Sequence, residues 1–300
     1  MTQIPSPIPV FLDTDIGDDI DDALALHVIL NSPELDLRGV STAFVDAFMR
    51  ARMAQKVLFD WNRTDVSVAA GCSNPLLQPV PTQDCHQFKM LEENPADGKS
   101  TFPHGVDLLV QQAENNFQNT IIAIGPLTNV ALALARAPQL AQNSRLFIMG
   151  GQGITGNQPQ WNIRWDPEAA AMVLRSGIEI WAVGYDITTQ VRLTADHLAQ
   201  IAQSENPHTQ SVAQLISLWQ NGTGRLPFLH DPLTVLTLIS DCVRFEERHV
   251  SVGLCGAQRG LFDYDAPCQG TSHMQVAVEV DVARAIDLFM QRILNESPSC

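Results

Sequence analysis

Positive charge is what this sequence has least of: 18 lysines and arginines stand against 33 aspartates and glutamates, a net charge of −15 over 300 residues. The few basic residues are scattered. Without a basic patch the chain has no surface suited to nucleic acid or an anionic membrane, which leaves a small or neutral ligand as the expected partner. No uninterrupted apolar run reaches membrane-spanning length. The opening stretch, Met1 to Pro9, lacks a basic region followed by an apolar core, so no export signal is expected. The six cysteines, at 72, 85, 242, 255, 268 and 300, form no Cys-x-x-Cys pair and no zinc-like spacing with histidine, so free thiols in a reducing, cytoplasmic setting are expected. Disorder is excluded by a composition that is 45% hydrophobic and 17% charged. With neither a linker nor an internal repeat, residues 1–300 read as a single domain with ample length for a core.

What the chain does have is carboxylate, concentrated in one place. In the run from Val10 to Leu26, six aspartates (Asp13, Asp15, Asp18, Asp19, Asp21 and Asp22) fall within ten residues. An apolar stretch ends in Asp13-Thr14-Asp15, Gly17 supplies a turn, and an Ala/Leu-rich segment begins behind Asp21-Asp22, which is the pattern of a strand leading into a helix. The carboxylates therefore gather at a strand's C-terminal end, the edge of an α/β sheet where ligands bind. Helix capping and turn chemistry account for one or two of these aspartates. The rest repel one another, which raises pKa values or demands a cation, and a hard divalent cation is the simpler answer.

Taken in order, the pattern predicts a helix from Asp22 to Asn31, a strand over Leu35–Val45, a helix over Ala47–Trp61 and a short strand over Val66–Ala70. A loop from Asn74 to about Lys99 is long enough to be a lid or rim. A helix over Val106–Phe117, a buried strand over Thr120–Ile124 and a helix over Asn129–Ala135 follow. Leu146–Met149 reads as a strand, trailed by a polar, Gly-rich loop to Asn162. Asp166-Pro167 opens a helix to Arg175, and Ile178–Tyr185 is the next strand. The chain is then mainly helical through Trp219, breaks at Asn221–Gly224, and resumes as a helix after His230-Asp231-Pro232. Strands near Val250 and over Gln275–Val280 precede a closing helix over Val282–Leu294. Strands alternating with helices imply an α/β fold: an open, mostly parallel sheet with helices on both faces and a helical C-terminal portion.

Four stretches make the pattern specific: Asp13-Thr14-Asp15-Ile16-Gly17 with Asp21-Asp22-Ala23-Leu24-Ala25, Ile124-Gly125-Pro126-Leu127-Thr128-Asn129, Met149-Gly150-Gly151 with Trp161-Asn162-Ile163-Arg164-Trp165-Asp166-Pro167-Glu168, and His230-Asp231-Pro232-Leu233. In this order they resemble the nucleoside hydrolases, the inosine-uridine-preferring ribohydrolases, from about residue 10 to 240. The resemblance implies the family's α/β fold and a calcium-dependent hydrolysis of an N-glycosidic bond, as in purine or pyrimidine salvage, by a homo-oligomer (a dimer or tetramer). Carried onto this chain, the family's Ca²⁺ ligands fall on Asp15, Asp22, Asp231 and the main-chain carbonyl of Ile124, hard oxygen donors of the kind Ca²⁺ accepts. Asp15 also matches the general base, and His230 the histidine that protonates the leaving base. Asp21, Asn157 and Asn162 match ribose-binding positions, and Asp13 a supporting position behind the ligands.

Three departures accompany the match. The first loop carries two additional residues and has Ile16 where proline is usual, leaving Asp18 and Asp19 without counterparts. Two further ribose-binding positions are altered: Asp46 follows the second strand where many members carry asparagine, and Gln160 stands where many carry glutamate to bind the ribose. Neutral Gln160, with Arg164 nearby, suggests tolerance of a 5′-modified nucleoside. Two other readings stay open on the residues alone: a Mg²⁺-dependent aspartyl phosphohydrolase, disfavoured because Gly17 stands two residues beyond the second aspartate, and a family member that binds nucleosides or ribose with little turnover.

Overall fold

The computed structural model describes residues 6–81, 85–93, 101–113, 119–264 and 272–294. Among these residues nine strands form one sheet: β1 (Ile8–Thr14), β2 (Leu35–Thr42), β3 (Ser67–Ala70), β4 (Asn119–Ala123), β5 (Ser144–Met149), β6 (Glu179–Val183), β7 (Val243–Val252), β8 (Phe262–Asp263) and β9 (Ser272–Val280). Their order is β3-β2-β1-β4-β5-β6-β9-β7-β8. Every pairing from β3 to β9 is parallel, and only β7 runs antiparallel, to both β9 and β8. Chain order reverses between β1 and β4, so a crevice opens beyond the C-terminal ends of those two strands. Asp13–Asp15 and Ile124 lie there, tied by the Ile124 amide donating to the Asp13 carbonyl at 2.9 Å.

Strand β1 shows why the run is apolar on both faces. Val10 and Leu12 pack into one core cluster and Phe11 into the cluster on the other side, as a strand covered by helices on both faces requires. The first helix, α1 (Asp21–Leu30), follows the same logic: residues 21–29 are all buried, including both aspartates at its start. A helix apolar all round belongs in the interior.

Several boundaries differ from the pattern reading. β2 stops at Thr42 because Phe44 and Val45 take left-handed backbone, φ 73° and 56°, a costly conformation for a β-branched valine. β7 is ten residues long, paired along β9 from Val243 to Val250, where only a strand near Val250 was expected, because Arg244, Glu246, Glu247 and Arg248 are exposed or half-buried and leave no apolar pattern. The predicted lid contains a turn at His86–Phe88 and a short helix at Lys89–Glu93; its residues 82–84 and 94–99 fall outside the described residues, as do 114–117 of the helix predicted to reach Phe117. Cys72, Cys85, Cys242 and Cys255 are free thiols, and Cys268 and Cys300 lie outside the described residues. Among the described residues no helix is long and apolar enough to cross a membrane.

His27 on α1 is fully buried, with Nδ1 2.7 Å from the Ala23 carbonyl and its ring edge-on to Trp61. Burial pushes its pKa down from 6.5 to about 4. The unfolded chain therefore binds this proton first, and the contribution of neutral His27 is complete above pH 6.5 and lost as pH falls toward 4. The gap corresponds to about 3 kcal/mol. Chemical denaturation of the protein and of His27→Leu at pH 7.5 and pH 4.5 should show a smaller acid loss in the variant; equal losses would remove His27 as a cause of acid sensitivity.

Candidate active site

A cavity of about 700 Å³ opens at the switch between β1 and β4. Its acidic wall consists of Asp15, Asp18, Asp19, Asp21, Asp22 and Asp231. Asp15 follows β1, while Asp21 and Asp22 open α1 and Asp231 lies in the first turn of the helix His230–Leu236, so two helix N-termini face the same carboxylate group. Asp21, Asp22 and Asp231 each offer a carboxylate oxygen within 4.8 Å of the others, and all three are buried. One oxygen of Asp22 is already committed: Oδ1 accepts from the Thr14 hydroxyl at 2.5 Å and from the Asp15 amide at 3.1 Å. Gly125 makes room for Asp15, because a Cβ there would stand 2.9 Å from Asp15 Oδ1.

Burial pushes Asp21, Asp22 and Asp231 well above the usual carboxylate range, and repulsion among them and from Asp15 adds to it. Asp15 rises to about 6, raised by burial and held back by the charge of Arg50. Like charges this close, out of water and built only of hard oxygen donors, fit a divalent cation such as Ca²⁺.

Arg50 was not singled out from the sequence. It lies on helix α2 (Ala47–Asp60), fully buried, donating from Nε to the Phe44 carbonyl at 2.8 Å and from Nη1 to the Ile16 carbonyl at 3.0 Å. Its signal was available: Arg50 sits among Ala47, Ala51, Ala54 and Val57 on the helix's buried face.

Asp13 is fully buried, accepts from Ser41 and Asn129 through Oδ1, and has its pKa pushed up to about 7 by burial. It stands behind the cavity, not on its wall. Asn129 also donates to the Thr42 carbonyl and accepts from the Cys72 amide, so the Gly125–Asn129 stretch ties β1, β2 and the turn after β3 together. Thr128 donates to Asp166, which caps the next helix through the Ala169 amide.

Asn162 sits on a short helix, Trp161–Trp165, where a loop was expected. Its amide nitrogen reaches two strand-end carbonyls, Ile124 at 2.8 Å and Met149 at 2.9 Å. Gln160 caps that helix: Oε1 accepts from the Asn162 and Ile163 amides. Both line the cavity. Two expected sugar contacts are placed elsewhere. Asp46 is exposed and its carboxylate caps α2 through the Met49 amide at 2.9 Å, while Asn157 is exposed and off the wall, where Gln158 stands instead. Arg164 is also outside the cavity, its guanidinium 6.0 Å from the Trp165 ring.

His230 lines the cavity with Nδ1 2.7 Å from the Thr188 hydroxyl, its ring stacked between Tyr185 and Phe228. Burial pushes its pKa down to about 4. Tyr185, Trp219, Phe228, Arg192 and Arg225 complete this part of the wall. Sequence reasoning passed over them because nothing in their local spacing distinguishes a cavity wall from a helix end or loop.

A carboxylate cluster at the switch point of a parallel sheet, with an aromatic wall and a histidine beside it, defines an α/β protein with a small-ligand site. The profile of the family described as inosine-uridine preferring nucleoside hydrolase matches residues 10–287. The chain is 32% identical to a probable uridine nucleosidase 2 of Arabidopsis thaliana (95% of this chain, 97% of that protein) and 35% identical to a non-specific ribonucleoside hydrolase RihC of Escherichia coli (92% and 94%). A solved plant nucleoside hydrolase, PpNRh1, superposes with a TM-score of 0.85 at 27% identity over 96% of this chain and 99% of that one. The chain belongs to the inosine-uridine preferring nucleoside hydrolase family. It is thus an enzyme of the nucleoside hydrolase type, and the phosphohydrolase alternative falls away.

Proposed function

We propose that this enzyme hydrolyses the N-glycosidic bond of a ribonucleoside with Ca²⁺ as its metal, releasing nucleobase and ribose. The observation that carries the reading is the group of buried, mutually repelling aspartates lining one cavity at the sheet's switch point. Asp15, Asp22, Asp231 and the Ile124 carbonyl are the residues that would hold the ion. When bound, Ca²⁺ supplies the positive charge that keeps these carboxylates ionised and acidifies water.

Asp15, its pKa raised by burial to about 6, is suited to take the proton of the attacking water. Asp21 accepts a hydrogen bond from a ribose hydroxyl. The carboxylates together favour the positive charge that develops at the anomeric carbon as the bond to the base breaks. The Thr188 hydroxyl holds Nδ1 at 2.7 Å; in the tautomer where it donates to Nδ1, neutral His230 carries its proton on Nε2 and presents an N–H toward the departing base. Gln160 spends Oε1 on its helix cap and brings no charge to the ribose end, which leaves room for a 5′-modified relative.

Incubation of the purified protein with uridine and with inosine should release free base and free ribose in added Ca²⁺. Chelation should abolish the release and lower the melting temperature, because the carboxylate repulsion is then uncompensated. Turnover that survives verified metal removal would overturn the Ca²⁺ assignment, and absence of ribose release in Ca²⁺ would overturn the reaction.

A further inference from the structure

The cavity that gathers six aspartates is also lined by two arginines, Arg192 and Arg225. They come from two segments fastened to each other: the Leu193 amide donates to the Pro227 carbonyl and the Leu229 amide to the Val191 carbonyl, both at 2.9 Å, and Arg192 faces Phe228 in an antiparallel bridge. The Arg192 guanidinium lies 4.9 Å from the Phe228 ring centroid. Phe228 stacks on His230 at 5.4 Å and His230 on Tyr185 at 5.5 Å. The wall beside the carboxylates is thus a run of rings that ends in a guanidinium. Among the described residues neither arginine forms an ion pair with a carboxylate, although the charge of Arg225 reaches Asp19.

A neutral base would need only the stack. Guanidiniums donate and never accept, and they match a carboxylate or other planar anion with two parallel hydrogen bonds. A carboxylate on a ring entering this cavity would otherwise meet six carboxylates and be repelled. We propose that Arg192, at the end of the aromatic run, and Arg225, on the same cavity wall, make the cavity take N-ribosides whose aglycone ring carries an acidic group. The proposal rests on the N-riboside reading above for its sugar half, and on the arginines alone for its acidic half.

Nicotinic acid riboside and nicotinamide riboside test it, being nearly equal in size and differing in a carboxylate against a carboxamide. For the native protein in Ca²⁺, the ratio of kcat/KM for acid over amide should be roughly tenfold or more, the order a charge-assisted hydrogen bond gives. In Arg192→Gln/Arg225→Gln the ratio should fall below one, because the remaining aspartates now repel the acid. Arg164→Gln, outside the cavity, should keep the native ratio. Calorimetry with free nicotinate and free nicotinamide supplies a reading independent of turnover, and melting curves check that the variants fold. A native ratio near or below one, or a preference that survives in the double variant, overturns the proposal. Arginine-dependent binding of nicotinate without hydrolysis of either riboside would uphold the arginine assignment and sink the hydrolase reading; failure of nicotinate to bind better than nicotinamide would sink the arginine assignment even if ribosides are cleaved.

Discussion

Asp15→Asn is expected to reduce kcat by roughly 10²–10⁴-fold, the usual worth of a positioned general base. The substitution keeps the shape of a side chain that lies buried against Gly125, and it removes one charge from a group whose members raise one another's pKa. The folded protein should therefore persist, and without Ca²⁺ it should melt no lower than the native chain. Because Asp15 is also among the residues expected to hold Ca²⁺, turnover is to be measured at saturating Ca²⁺ with the bound metal determined directly. A loss of less than tenfold with Ca²⁺ bound would remove Asp15 as the base. A loss reversed by raising Ca²⁺ would assign it to metal binding alone.

Arg50→Met is the substitution with the largest expected effect on stability. It leaves the Phe44 and Ile16 carbonyls without their donor and takes away the cation that offsets Asp15 and Asp22. Breaking such a buried charge arrangement by removing one side costs about 3–5 kcal/mol. The Phe44–Val45 turn, held in left-handed backbone, loses a restraint at the same time. Urea unfolding at pH 7 measures the cost directly. The pH profile of turnover should move as well: with Arg50 gone, the Asp15 pKa is driven further up, so the acid limb of activity shifts to higher pH. A variant within 1 kcal/mol of the native stability and with an unmoved acid limb would show that Arg50 is only a space-filling residue.

The sheet was legible because its strands carry little but apolar residues between turn signals: Thr120–Ile124, Leu146–Met149 and Ile178–Tyr185 each fall on an observed strand to within two residues at either end. β7 was compressed to a strand near Val250 because a strand with charged, part-exposed side chains offers no apolar alternation over Arg244–Arg248. The Asp-rich stretch announced its place in the fold through composition alone, since no capping scheme uses six aspartates. Asp46 and Asn157 show the opposite limit. Chain position after a strand, or within a Gly-rich loop, does not say which way a side chain turns, and both ended in solvent. The arginines and rings of the cavity were hidden for a related reason: Arg192, Phe228 and Tyr185 meet only through a bridge between segments more than thirty residues apart in the chain, a pairing no local pattern encodes.

The longer first loop does not stand by itself. Gly17, at φ 123°, lies so near the Phe88 ring that an added Cβ would come within 2.5 Å of it, and Gln87 gives its side-chain amide to the carbonyls of Asp18 and Asp19 and its backbone amide to that of Gly17. Gln87 is itself fully buried. Excising Asp18 and Asp19 would therefore orphan a buried amide some seventy residues away, and changing Gln87 would unmoor the loop that sets the cavity's acidic rim. The two segments form one heritable unit in length and path: alterations of the loop's backbone are energetically non-additive with alterations at Gln87, whereas Asp18 and Asp19 can exchange their side chains and keep the carbonyls that Gln87 grips, so the rim's acidity is free to drift while its length is not.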